Sequence, residues 1–92
     1  MTYRLKYTEE ARQALRRIFG NYRQRLRREI EALALNPRPP HALLLRGDAP
    51  DRYRIRLDRW RLIYSVRDDE SAVRILRIGV KAGPETYEDL GP

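Results

Sequence analysis

Two adjacent stretches with a repeat of two constrain this chain more than any other feature. Tyr53, Ile55 and Leu57 alternate with Arg52, Arg54 and Arg56; Trp60, Leu62, Tyr64 and Val66 then alternate with Arg59, Arg61, Ile63 and Ser65. Successive side chains of a β-strand point to opposite faces, so each stretch reads as a strand with an apolar and a polar face. Only Asp58 and Arg59 break the pattern, which predicts a tight antiparallel hairpin. With the apolar set facing a core, Arg54 and Arg56 emerge together on the outer face. Arg61, beside Ile63, is within cross-strand reach of them.

The hairpin needs further elements to cover its apolar face, and the flanking sequence supplies them. Tyr3, Leu5 and Tyr7 alternate with Arg4 and Lys6, predicting a first strand. Thr8 offers an N-cap oxygen, Glu9 and Glu10 suit the positive end of a helix, and Ala11, Ala14, Leu15 and Ile18 recur at helical spacing. A first helix is expected from about Glu9 to Phe19, ending at Gly20. Asn21 is the expected cap of a second helix with Tyr22, Leu26, Ile30 and Leu33 as its apolar stripe and Arg23, Arg25, Arg27 and Arg28 largely solvated. Asn36-Pro37 ends it, because proline disfavours helical geometry in the residue before it. Arg38-Pro39-Pro40 continues as an extended connection, the chain re-enters the fold from Leu43 to Gly47, and Gly47-Asp48-Ala49-Pro50 is a turn.

After the hairpin, Arg67 to Ser71 reads as a polar turn and Ala72 to Gly79 as a last strand with Leu76 and Ile78 in the core. Val80 to Pro84 is a loop, and Pro84 to Leu90 are expected to add a helical turn presenting Tyr87. The order is β-α-α-β-β-β. The expected fold is α+β, a two-helix hairpin packed on a small, antiparallel-rich, four-stranded sheet, with residues 1–92 forming a single domain.

Composition bounds the function. Twenty basic against thirteen acidic residues leave a net charge of +7, a balance that favours a polyanionic partner, nucleic acid ahead of a membrane surface. Only Lys6 and Lys81 are lysines, so the charge is almost entirely guanidinium, which binds phosphate bidentately and stacks on bases. Genome composition or thermal adaptation would also enrich arginine. The chain has no cysteine, which excludes disulfides and thiolate metal sites. Its one histidine, His41, stands beside Pro39 and Pro40 without zinc spacing and reads as a surface residue; no metal and no cofactor is expected. The first residues enter a strand without an apolar signal core, and no apolar run nears membrane-spanning length, so a cytoplasmic location and no membrane partner are expected.

Three adjacent cations on one sheet face repel one another, and a bound anion relieves that repulsion. The alternative is a solvated face neutralised by acidic neighbours, the common state of an antiparallel sheet. Acids are scarce here: Asp51 stands at the strand start and Asp58 at the turn, with none between.

Taken together, Leu45-Arg46-Gly47, Tyr53-Arg54-Ile55-Arg56-Leu57, Trp60-Arg61-Leu62-Ile63-Tyr64 and the ending from Gly79 to Tyr87 resemble the RelE branch of the RelE/ParE toxin superfamily across nearly the whole chain. No single motif carries the resemblance; the combination and its spacing do. It implies the toxin of a type II toxin-antitoxin system, a ribosome-dependent endoribonuclease that cuts messenger RNA in the decoding site, with a cognate RelB-like antitoxin, the ribosome and messenger RNA as partners. The implied chemistry is attack by the RNA's own 2′-hydroxyl on the adjacent phosphate, without a metal.

Residue by residue, the resemblance assigns Arg54 and Arg56 to two family lysines used for phosphate contact and base work, and Arg61 to the arginine on the scissile phosphate. Tyr87 corresponds to the catalytic, base-stacking tyrosine, and Lys81 to an arginine implicated in leaving-group protonation and phosphate stabilisation. The expected phosphate-binding set is Arg52, Arg54, Arg56, Arg59, Arg61 and Arg77. The arginines at 54 and 56 keep the family's charge but are poor proton acceptors. Tyr87, whose phenolate neighbouring cations would favour, is then the better base, and Lys81 can donate to the leaving oxygen. The plain alternative for Tyr87 is packing of the tail against the sheet. Two other functions remain: a ParE-like toxin that inhibits a DNA topoisomerase (gyrase) by binding it, whose members generally lack this basic site, and a non-catalytic nucleic-acid-binding module, which leaves Tyr87 unexplained.

Overall fold

The computed structural model describes residues 2–47 and 51–80. The chain runs β1 (Arg4–Tyr7), α1 (Glu9–Arg17), α2 (Gly20–Leu33), β2 (Leu43–Leu44), β3 (Arg52–Leu57), β4 (Trp60–Arg67), a 3-10 turn at Asp68–Glu70, and β5 (Ala72–Val80). The α+β class agrees with expectation, but the sheet has five strands rather than four, in the order β1-β5-β4-β3-β2. The additional strand is β2, two residues opposite Arg54 and Tyr53. Two residues are too few to display an alternation. β1 lies parallel to β5, and the other pairings are antiparallel.

Thr8 starts α1 as expected: its Oγ accepts from the Ala11 N–H at 3.1 Å, and its hydroxyl donates to the Leu76 carbonyl at 2.9 Å, tying the helix start to β5. Glu9 and Glu10 in the first turn and Arg16 and Arg17 in the last complement the helix dipole. The helix stops at Arg17, two residues early, because Ile18 turns extended (φ −90°, ψ 134°) and buries its side chain, leaving Phe19 84 % exposed. α2 therefore begins at Gly20, whose φ of +63° suits glycine. Phe19, not Asn21, occupies the cap position, with no side-chain cap bond.

α2 buries Leu26, Ile30 and Leu33 on the sheet with Ile55, Leu62, Tyr64, Val66, Val73, Ile75 and Ile78. Each such aliphatic side chain contributes roughly 1.5–3 kcal/mol of burial. Tyr22, the first residue of the predicted stripe, lies outside this core and meets Trp60 in a tilted ring contact at 6.3 Å. Tyr64 is fully buried and donates to the Pro37 carbonyl at 2.8 Å, fastening the connection after α2 to the central strand. Arg38, on that connection, donates to the Tyr53 hydroxyl at 2.8 Å and pairs with Asp68 at 2.9 Å, while the Tyr3 hydroxyl donates to Asp68 at 2.7 Å.

The last strand departs from simple alternation. Ile63 pairs with Arg77 whereas the next residue, Tyr64, pairs with Ile75, so β5 carries an extra residue, Leu76, at a β-bulge. The phase shifts there: Ile75 and Ile78 are buried, while Leu76 is half-buried beside Arg52, Ser65 and Arg74 on the outer face. The expectation of Leu76 in the core was therefore wrong.

Candidate functional site

The β3–β4 register decides how the arginines meet. Leu57 pairs with Trp60, Arg56 with Arg61, Arg54 with Ile63 and Arg52 with Ser65. The two-residue turn is closed by Asp58 at φ +58°, a conformation that aspartate tolerates better than most residues. Ile55 and Leu62 point into the core, so Arg54, Arg56 and Arg61 share the opposite face, with Arg56 and Arg61 directly opposite each other. Like charges in that position repel.

Arg61 is the most confined of the three, only 1 % exposed. Its Nη1 donates to the carbonyl oxygens of Asp58 and Trp60, both at 3.3 Å, so the turn that creates the register also holds the guanidinium. Burial lowers its pKa from the ordinary arginine value, and Arg56 and Arg54 lower it further. Arg54 is lowered by burial and then by Arg56. Both remain cations near neutrality, since guanidinium does not surrender its proton there. Asp58, the acid nearest in sequence, turns its carboxylate to Arg25 on α2 at 2.7 Å. The acid at the turn thus serves the helix rather than the arginine face, and an anion placed over Arg54, Arg56 and Arg61 would meet positive charge held in place by the sheet.

The other expected residues divide. Arg52 shares this face two residues along β3, and Arg59 is exposed at the hairpin tip. Arg77 pairs in register with Ile63, but its Nε lies 3.1 Å from Glu10 of α1. β1 pairs with β5 only as far as Ile75, so β5 is a sheet edge at Arg77, open towards the helix. Lys81 and Tyr87, like the helical turn expected from Pro84 to Leu90, lie outside the described residues.

Two outer-face cations, Arg74 and Lys6, escaped the sequence reading. Arg74 pairs with Ser65 on one side and Lys6 on the other, so one row runs Arg52, Ser65, Arg74, Lys6 across four strands. The alternation of Arg74 with the buried Val73 and Ile75 signals its outward direction. No local pattern signals that residues 4–7 lie parallel to residues 72–75. Among the described residues no group of three or more His, Cys, Asp or Glu could hold a metal ion, and no helix is long and apolar enough to cross a membrane.

A family model described as the ParE toxin of the type II toxin-antitoxin system parDE matches residues 5–82. The chain belongs to the ParE toxin family. Within it, this toxin is of RelE type. It is 31 % identical over 91 residues to the mRNA interferase toxin RelE of Escherichia coli K12, a match covering 97 % of this chain and 94 % of that protein. The crystal structure of the isolated E. coli RelE toxin superposes with a TM-score of 0.76 at 26 % identity, covering 95 % of this chain and 93 % of that one. RelE in the archaeal RelE-RelB complex from Pyrococcus horikoshii OT3 superposes with a TM-score of 0.78 at 29 % identity, covering 89 % of this chain and 98 % of that one. The hairpin that aligns Arg56 with Arg61 thus sits in a RelE-type toxin fold spanning nearly the whole chain.

Proposed function

We propose that this chain is the toxin of a type II toxin-antitoxin pair and an endoribonuclease that cleaves messenger RNA in the decoding site of the ribosome. The observation that carries the reading is the cluster of Arg54, Arg56 and Arg61 on one sheet face, with Arg61 fixed by the hairpin carbonyls. Similarity to an mRNA interferase over nearly the full length supports it.

In the proposed reaction the 2′-hydroxyl loses its proton to a base and its oxygen bonds to the adjacent phosphorus. The bond from phosphorus to the 5′-oxygen breaks, and that oxygen takes a proton, leaving a 2′,3′-cyclic phosphate and a 5′-hydroxyl end. Arg61 and Arg56 stabilise the charge gathering on the non-bridging oxygens, and Arg54 holds the phosphate. Because Arg61 is already oriented, little reorganisation is needed as the charge develops. Tyr87 is the proposed base and Lys81 the proposed acid. The scheme uses no metal and no cofactor.

The ribosome and its message are the proposed target and a RelB-like antitoxin the neutralising partner, as solved for the E. coli RelBE complex. An acidic antitoxin segment laid over the arginine face would suit its charge. We place this activity in the cytoplasm, in a single domain of residues 1–92, with no membrane partner. The matching family is described as the ParE toxin, so the ParE-like alternative that the resemblance implied, inhibition of a DNA topoisomerase, is the second reading. Purified protein added to translating ribosomes and, in parallel, to a supercoiling reaction separates the two. Codon-positioned cuts in the message with supercoiling unaffected support the nuclease; an intact message with supercoiling blocked overturns it.

A further inference from the structure

The outer face continues beyond the arginines assigned to cleavage. At the other end of β3 and β4 lies a cavity of about 570 Å³ lined by Arg52, Ser65, Arg74, Leu76, Asp51 and Asp69 among others. Its size falls in the range of small-ligand sites. Its lining is mixed: guanidinium groups for phosphate, the Ser65 hydroxyl and two carboxylates as acceptors for base or ribose donors, and an apolar side chain for a base or sugar face. The bulge in β5 is what brings Leu76 to this side, so the apolar surface depends on the same irregularity that breaks the strand's alternation. Asp69 is drawn to Arg67 at 3.5 Å and Glu70 to Lys6 at 3.7 Å, whereas no ion pair among the described residues engages Arg52 or Arg74.

Arg52 stands four residues from Arg56 along β3, a separation of about 13 Å at the rise of a strand. That span corresponds to roughly two nucleotides of an extended single strand, the form in which proteins track RNA through cationic grooves. We infer that this cavity is a second nucleotide subsite, which holds a residue of the message strand about two positions from the cut, its phosphate on Arg52 and Arg74 and its base or ribose against Leu76, Ser65 and the carboxylates. The inference rests on the nuclease reading and adds a length requirement to it: a strand spanning both clusters binds more tightly than one covering the cleavage cluster alone.

The test uses fluorescence anisotropy with the full chain and all-ribose oligoribonucleotides, in the absence of the ribosomes that the proposed cleavage requires. Wild type should bind a hexanucleotide more tightly than a dinucleotide. Arg74→Ala should weaken the hexanucleotide about tenfold, reduce the salt dependence of its binding by about one counterion and leave the dinucleotide unchanged, while Arg74→Lys retains most of the affinity. Equal hexanucleotide affinities for wild type and Arg74→Ala overturn the subsite. If only association of Arg74→Ala with message-free ribosomes is weakened, the cavity is a ribosomal RNA contact and the inference is again wrong. Message cleavage on translating ribosomes is assayed in parallel. Codon-positioned cleavage by wild type beside equal oligonucleotide affinities sinks the subsite and leaves the nuclease reading standing; no cleavage and no oligonucleotide binding sinks both.

Discussion

Replacing Arg56 with glutamine should make the protein more stable and less able to bind RNA. Arg56 and Arg61 are direct cross-strand partners on the outer face, and Arg61 is 1 % exposed whereas Arg56 reaches solvent. For two guanidinium groups splayed to about 7 Å, Coulomb's law gives about 2.4 kcal/mol of repulsion at an effective dielectric constant of about 20 and about 0.6 kcal/mol at that of water. One group buried and the other wet places the pair between these limits, near 1 kcal/mol. Glutamine keeps much of the apolar stem and removes the charge. For a chain of this size 1 kcal/mol corresponds to a rise in Tm of roughly 4–8 °C. Thermal unfolding followed by circular dichroism at low salt should show that rise, and in 1 M salt, where the screening length drops to about 3 Å, most of it should vanish. Arg56→Lys, which keeps the charge, should show no gain. A loss of stability in Arg56→Gln, or an equal gain in Arg56→Lys, would refute the claim that this face stores charge repulsion that an anion relieves.

Other outcomes follow from single contacts. Tyr64→Phe removes the donor to the buried Pro37 carbonyl and should cost about 1–3 kcal/mol in urea unfolding without changing RNA affinity. Thr8→Ala loses both the α1 cap and the bond to the Leu76 carbonyl, an expected loss of about 1–2 kcal/mol. Hydrogen bonds from Arg38 and then Tyr3 hold Asp68 below its ordinary value of 3.8. A carboxylate whose folded pKa is depressed adds stability that is complete above the unfolded pKa and lost as pH falls through the folded one. The Tm gap between wild type and Asp68→Asn should therefore be constant near neutrality, begin to narrow as pH falls below about 3.8 and go on narrowing towards the lower folded pKa; a gap that does not narrow there contradicts the assignment.

The parts of this fold legible in the sequence are those whose determinants are local. Alternation from Tyr53 to Val66, interrupted only by Asp58 and Arg59, determined the hairpin and set Arg56 opposite Arg61. Thr8 with the two glutamates marked the start of α1. What stayed hidden depends on contacts distant in sequence. β2 is two residues long and exists only because β3 offers a free edge. The burial of Ile18 ended α1 early and moved the start of α2 ahead of Asn21. The bulge opposite Ile63 and Tyr64 turned Leu76 outward, and the parallel pairing of β1 with β5 brought Lys6 beside Arg74. The outer face was therefore readable at the end bearing Arg54, Arg56 and Arg61 and opaque at its far end, where the cavity beside Ser65, Arg74 and Leu76 lies.

The central claim is that the arginine face directs the RNA's own 2′-hydroxyl onto its phosphate, and substrate chemistry tests it most directly. A message whose decoding-site codon carries a single 2′-deoxy substitution is loaded on ribosomes and exposed to wild-type protein and to Arg61→Ala, with cut ends mapped. The account predicts cleavage of the all-ribose message by wild type with a 2′,3′-cyclic phosphate end, loss of that cut on the 2′-deoxy message, and a large drop for Arg61→Ala. Undiminished cleavage of the 2′-deoxy message at the same bond, or full activity of Arg61→Ala, would contradict it.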